Sequence, residues 1–266
     1  MLDRFGRRIN YLRISVTDRC NLRCVYCMPE GGVALLSHDD ILSFEEILEV
    51  TRTAVQMGID KVRLTGGEPL VRRDIVTLTS MLAEIPGIKD YAMTTNGLLL
   101  DEFARPLFEA GLHRVNVSLD TLDRERYAEI TRGGDLARVL AGIDAAAAAG
   151  LTPIKLNCVV RESSSEPDAR QVARFAAERG LEVRFIRRMD PAAGQFWPVE
   201  GGTGGDCIRC NRLRLASNGV IVPCLFSDLA FSVRELGARE AIRRAVEAKP
   251  EAGTTSRNNK FCRIGG

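Results

Sequence analysis

Between residues 12 and 188, six short apolar runs rich in β-branched residues alternate with longer stretches of helical periodicity. Such alternation admits few architectures, because successive βα units build a parallel sheet covered by helices. Strands are expected at 12–16, 61–65, 90–94, 114–119, 153–160 and 182–186, with helices at 43–57, 74–83, 101–110, 136–149 and 166–179. Ser43 with Glu46 three residues on reads as a capping box, and Gly58, Gly111, Gly150 and Gly180 stand where helices end. The alanine run 145–149 supplies helix propensity and a packing face. Periodicity alone leaves open a doubly wound sheet or a partial barrel. In either, strand C-termini and the loops after them face the active centre. Those positions hold Cys20 to Cys27, Gly66-Gly67-Glu68-Pro69, Thr95-Asn96-Gly97, Ser118-Leu119-Asp120, Asn157 and Arg187 to Met189.

Composition removes several alternatives. At 266 residues with 45% hydrophobic and 27% charged side chains, the chain suits one compact enzyme, and no apolar stretch approaches the length of a membrane span. The start, MLDRFGRRINYLRIS, lacks the apolar core of a secretory signal, so the cytoplasm is the expected compartment. A formal charge of +2 gives no argument for a nucleic-acid polymer. In a reducing compartment, eight cysteines are better read as metal ligands or buried thiols than as a disulfide framework.

Six of them form two groups. Cys20, Cys24 and Cys27 share a loop after a strand, and three thiolates can hold three irons of a cubane while leaving the fourth iron open. A closed zinc site would want a fourth ligand, and His38 is eleven residues beyond Cys27. Cys207, Cys210 and Cys224 form the second group, read either as a cluster site or as a zinc ribbon completed by Cys262. Between them Arg212 and Arg214 share one face of an extended segment while Leu213 and Leu215 share the other. Paired guanidinium forks suit a triphosphate or a purine edge. The stretch 191–206, with five glycines and two prolines, reads as a linker dividing a unit 1–190 from a small unit 207–266. A helix is expected at about 233–248, followed by a poorly ordered 249–259. His113 and Trp197 are given structural roles, and Asn157 a hydrogen-bonding place in the lumen.

CNLRCVYC followed by GGEP resembles the radical S-adenosylmethionine enzymes. LRISVTDRCNLRCVYCMPE, VRLTGGEPLVRRDI, TTNGLLL, VNVSLDTLD, PIKLN and RFI are similar, in order, to the GTP 3',8-cyclase family of molybdenum cofactor biosynthesis. The distal CxxC-x13-C, NRLRL and the terminal Gly265-Gly266 extend the likeness. The resemblance implies an α/β fold, an incomplete (β/α)6 TIM-like barrel with a small C-terminal cysteine-ligated cluster unit. It implies two 4Fe-4S clusters, on Cys20, Cys24 and Cys27 and on Cys207, Cys210 and Cys224. S-adenosyl-L-methionine would meet Tyr26, Gly66, Gly67, Glu68, Ser118 and Met189. GTP would meet Arg13, Arg63, Thr94, Lys155, Arg212 and Arg214, with Arg212, Arg214, Gly265 and Gly266 in the catalytic set. Implied partners are an electron donor such as flavodoxin or ferredoxin, a downstream cyclic pyranopterin monophosphate synthase, and a second copy in a homodimer. Three departures stand out: Arg187 where the family usually has glutamate, only 17 residues at 190–206, and Cys262, read as a free thiol rather than a fourth ligand. They keep two alternatives in view: a related radical enzyme acting on another nucleotide or a peptide, and a noncatalytic iron-sulfur or zinc module.

Overall fold

The structure is a computed structural model that describes residues 1–258 and residue 264. Six parallel strands come first: β1 (Tyr11–Ser15), β2 (Lys61–Thr65), β3 (Asp90–Thr95), β4 (Arg114–Ser118), β5 (Lys155–Val160) and β6 (Glu182–Arg187). They lie side by side in chain order, so every crossover returns on the same side of the sheet. That is the singly wound arrangement of a partial barrel, and it removes the doubly wound alternative, whose strand order reverses. The covering helices are α1 (Phe44–Gln56), α2 (Ile75–Ala83), α3 (Leu100–Glu109), α4 (Arg124–Thr131), α5 (Leu136–Ala149) and α6 (Pro167–Glu178).

The later chain continues the same sheet. β7 (Arg212–Leu215) pairs in parallel with β1, and β8 (Val220–Val222) and β9 (Phe231–Ser232) follow antiparallel, making nine strands among the described residues. The short α7 (Val233–Leu236) then leads into α8 (Ala238–Glu247), which packs beside α1. A second small apolar cluster gathers Ala216, Val222, Leu225, Phe226 and Ile264, with Phe196 and Met189 against it. Beyond β6, a bridge between Phe185 and Glu200 folds the glycine-rich stretch back along that edge strand. Among the described residues no helix is long and apolar enough to cross a membrane.

Two-residue alternation sorts the strands' side chains. Leu12, Ile14, Val62, Leu64, Val115, Val117, Leu156 and Leu213 are buried in the main core under the helices. Their neighbours on β1, β2 and β7, such as Arg13, Arg63 and Arg214, face the other way. The register puts Arg13 beside both Arg63 and Arg214, one row of three cations across three strands.

Local chemistry accounts for the boundaries. The Ser43 hydroxyl accepts the Glu46 N–H at 3.2 Å and the Glu46 carboxylate accepts the Ser43 N–H at 2.8 Å, so the capping box is complete. The four glycines after helices all take positive φ, between 65° and 104°. β5 starts at Lys155 rather than at 153, since Pro153 has no N–H for the ladder. The helix expected at about 233–248 is broken at Gly237, whose φ of 75° ends α7. α4 was not expected, because its eight residues bury only Tyr127 and Thr131 and leave no apolar period to read. The stretch expected to be poorly ordered from 249 is instead tied down through residue 258. Lys249 is buried, and Asp228 Oδ1 accepts the Ser256 hydroxyl and the Arg257 and Asn258 N–H groups at 2.7–3.0 Å.

Replacing Ser43 by Ala removes one half of the box. We expect a loss of about 1 kcal/mol in stability, measured by urea denaturation, with an unchanged m-value; no loss would mean the cap contributes nothing.

Candidate active site

A cavity of about 450 Å³ opens on the face of the sheet away from the helices, and all six cysteines of the two groups line it. The strands explain how. Cys20, Cys24 and Cys27 follow the C-terminal end of β1. Cys210 precedes β7, which runs parallel to β1, and Cys224 follows β8, which runs back the other way. The two groups therefore stand at opposite ends of the same strands.

The first loop is held from outside and inside. Arg23 and Val25 donate their N–H groups to Thr131 and Ile130 at the end of α4, at 3.2 and 2.9 Å, and Arg132 donates to the Arg23 and Met28 carbonyls at 3.0 Å. The unexpected helix is thus the anchor of the cysteine loop. Inside, Cys24 O accepts from both Cys27 and Met28, a turn that brings Cys24 and Cys27 to one side. Burial, Asp120 and Cys20 push the Cys24 thiol up to about 12, a preference that a bound cationic iron centre reverses.

The Gly66-Gly67-Glu68 turn docks directly on this loop. Gly67 N–H donates to Thr17 O and Glu68 N–H to Arg19 O, both at 2.8 Å. A Cβ on Gly67 would lie 2.3 Å from Arg19 O, so only glycine fits. The Glu68 carboxylate is buried and accepts from the Thr95 hydroxyl and the Asn96 and Leu70 N–H groups at 2.6–3.1 Å. Burial outweighs those bonds and lifts it to about 7. On the other flank Asp120, lifted by burial to about 6, accepts the Tyr26 hydroxyl at 2.7 Å and the Val159 N–H at 2.8 Å, tying the cysteine loop to β5.

Between the ends lies a strongly basic wall. Among the described residues, nine lysines and arginines line the cavity against three carboxylates, Glu68, Asp90 and Asp206. Arg13, Arg63 and Arg214 are each below 10% exposed, and desolvation lowers the pKa of all three, Arg214 to about 10. The Tyr11 ring lies between Arg63 and Arg212, 5.4 and 5.8 Å from their guanidinium carbons. Burial would raise the Tyr11 phenol, but Arg63, Arg13, Arg212 and Arg114 together pull it down. Among the described residues, the buried Nε atoms of Arg63 and Arg184, the Tyr11 hydroxyl and the Thr94 hydroxyl have no hydrogen-bond partner. Unmet donors around packed cations are what a bound polyanion satisfies.

Among the described residues no three His, Cys, Asp or Glu side chains converge on one point, and the six thiols stand as two trios at the ends of one cavity. In each group one sulfur also accepts an N–H from two residues on, Leu22 to Cys20 and Phe226 to Cys224, both at 3.4 Å.

Of the residues singled out in the sequence, Arg13, Tyr26, Arg63, Gly66, Gly67, Glu68, Thr94, Ser118, Asn157, Met189, Arg212 and Arg214 line the cavity with the six cysteines. Lys155 does not. It opens β5 directly opposite Glu182 on β6, and its ammonium pairs with that carboxylate. Cys262, Gly265 and Gly266 lie outside the described residues. Arg187 lines the cavity with its guanidinium 3.9 Å from the Trp197 ring centre, and His113 Nδ1 accepts the Tyr91 N–H at 3.2 Å. Sequence reading missed Lys61, Arg114 and Arg184, all on the wall; a cation at an alternate position of each strand was the available signal.

The fold and the first thiol loop define a class. The Radical SAM superfamily profile matches residues 14–176, and native anSMEcpe with bound AdoMet and Kp18Cys peptide superposes at TM-score 0.63, with 16% identity over 91% of this chain and 81% of that one. Curated relatives narrow it: a GTP 3',8-cyclase of Geobacter sulfurreducens is 42% identical over 94% of this chain and 93% of its own, and one of Pelotomaculum thermopropionicum is 44% identical over 94% of each. The chain belongs to the GTP 3',8-cyclase family of that superfamily. The first alignment runs over 303 residues against a chain of 266, so the relative carries residues that this chain lacks.

The raised Glu68 gives a pH signature. The folded form holds its proton to about pH 7 whereas the unfolded chain releases it near 4.5, so stability falls as pH rises through that window. Relative to Glu68→Gln, the wild-type apo protein should lose on the order of 3 kcal/mol between pH 4.5 and 7, followed by denaturant unfolding. A constant difference across that range would refute the buried-acid account.

Proposed function

We propose that this chain converts GTP to (8S)-3',8-cyclo-7,8-dihydroguanosine 5'-triphosphate, a step of molybdenum cofactor biosynthesis. The observation that carries the reading is the single cavity with a thiol trio at each end and a wall of cations between them. Cys20, Cys24 and Cys27 would hold one 4Fe-4S cluster and Cys207, Cys210 and Cys224 a second. If bound there, the first cluster with S-adenosylmethionine would supply radical chemistry at the ribose, and the second would supply a further iron centre at the opposite end of the cavity.

The protein's own work is placement. Glu68, Gly66 and Gly67 present a carboxylate and close backbone to the methionyl end of S-adenosylmethionine, with Tyr26, Ser118 and Met189 around it. Arg13, Arg63, Arg212 and Arg214, with Thr94, Arg114, Arg184 and Lys61, receive the triphosphate and hold the ribose between the two ends. Lys155 would serve only after leaving Glu182. The buried wall keeps water from the reacting carbon. An electron donor and an enzyme that consumes the cyclised nucleotide are the partners this chemistry requires.

Anaerobic incubation of the reconstituted protein with S-adenosylmethionine and GTP deuterated at the 3' position should put deuterium into 5'-deoxyadenosine and yield the cyclised nucleotide. Deoxyadenosine without that nucleotide would sink the GTP assignment. Arg184→Ala should weaken GTP binding about tenfold or more in equilibrium titrations while S-adenosylmethionine binding is retained; unaltered GTP affinity would remove Arg184 from the triphosphate site.

A further inference from the structure

Lys249 lies just past α8, is 2% exposed, and has no part in the roles assigned above. Its ammonium donates to Arg212 O at 2.8 Å and to Pro223 O at 2.5 Å, and it also reaches the sulfur of Cys210. Those carbonyls belong to the residue two places after Cys210 and the residue just before Cys224. Arg7 does the matching task at the third cysteine. Its guanidinium donates to Cys207 O at 2.7 Å and to the Pro250 and Glu251 carbonyls at 2.6 and 2.7 Å. Two buried cations from opposite ends of the chain thus clasp all three segments of the second cysteine group.

They differ in one respect. Arg7 is ion-paired with Asp3 at 2.7 Å, whereas among the described residues Lys249 makes no ion pair with a carboxylate. Two carbonyls need donors only, and a neutral amide would provide them. A full charge buried without a carboxylate is costly unless a negative group lies beside it. Three thiolates around a cluster are such a group, and outer-shell charge and hydrogen bonding to sulfur tune what they hold.

We propose that Lys249 is a positioning residue of the second cysteine group whose charge favours the reduced form of the cluster held there. The inference rests on Cys207, Cys210 and Cys224 being cluster ligands, and the experiment separates the two. In full-length protein carrying Cys20→Ala, Cys24→Ala and Cys27→Ala, only the second group can take iron. After anaerobic reconstitution, iron content and far-UV circular dichroism are recorded, and the reduction midpoint is titrated by electron paramagnetic resonance, for Lys249, Lys249→Gln and Lys249→Arg.

We expect Lys249→Gln to keep its iron and to lose at least tenfold in the equilibrium for one-electron reduction, about 59 mV more negative, with Lys249→Arg restoring the original midpoint. Iron lost in the Gln variant and regained in the Arg variant also supports a charge requirement. Equal midpoints for Lys249 and Lys249→Gln, or an equal defect in both variants, reduce Lys249 to a strut and overturn the proposal. Absence of iron when Lys249 is intact overturns the cluster reading itself.

Discussion

The parallel pairing of β1 with β7 is the contact on which the site depends. Residues about two hundred positions apart are brought into register there, Tyr11 beside Arg212 and Arg13 beside Arg214. Without it the two cysteine groups would belong to separate surfaces. With it, one group sits past the end of β1 and the other before the start of β7, and the strand length between them sets the dimensions of the chamber. The same pairing has an electrostatic cost. Like charges directly opposite on neighbouring strands repel, and Arg63, Arg13 and Arg214 form such a row. The main core beneath them holds the row in place, so the repulsion remains as a standing attraction for anions.

This arrangement separates tasks by depth. The ends of the cavity carry thiols, glycines and buried acids, which suit a cluster and a zwitterionic cofactor. Its wall carries packed guanidinium groups, several of them, such as Arg63 and Arg184, with a donor unmet among the described residues, which suits phosphates. Neither set needs to move for the other to form, because each is fixed to a different part of the strands. Cations placed before substrate arrives give up little further order on binding, which is the advantage of a preorganised site.

Much of the barrel was legible in the chain. Alternation of βα units located the first six parallel strands, and the capping box and the glycines after helices located several ends. The cavity set was partly legible from motif and partly from parity along the strands. What escaped was long-range or locally weak. β7 pairs with β1 across a sequence distance that periodicity does not see. α4 is too polar and short to announce itself, although it anchors the cysteine loop. Lys155 was implied by the resemblance, and Glu182 opposite it on the next strand, which holds its ammonium, carries no local signal of that pairing. Lys249 looked like the start of a loose tail because a lone lysine carries no sign that three acceptors await it.

The Phe185–Glu200 bridge has a meaning for the chain in solution as well as for the cavity. A sheet that stops short of closing leaves two free borders, each a template for unwanted strand addition. Here one border is a two-residue strand, Phe231–Ser232, and the other is partly covered by its own glycine-rich segment. The incomplete barrel thereby keeps an open mouth for its ligands while offering other chains little to zip against.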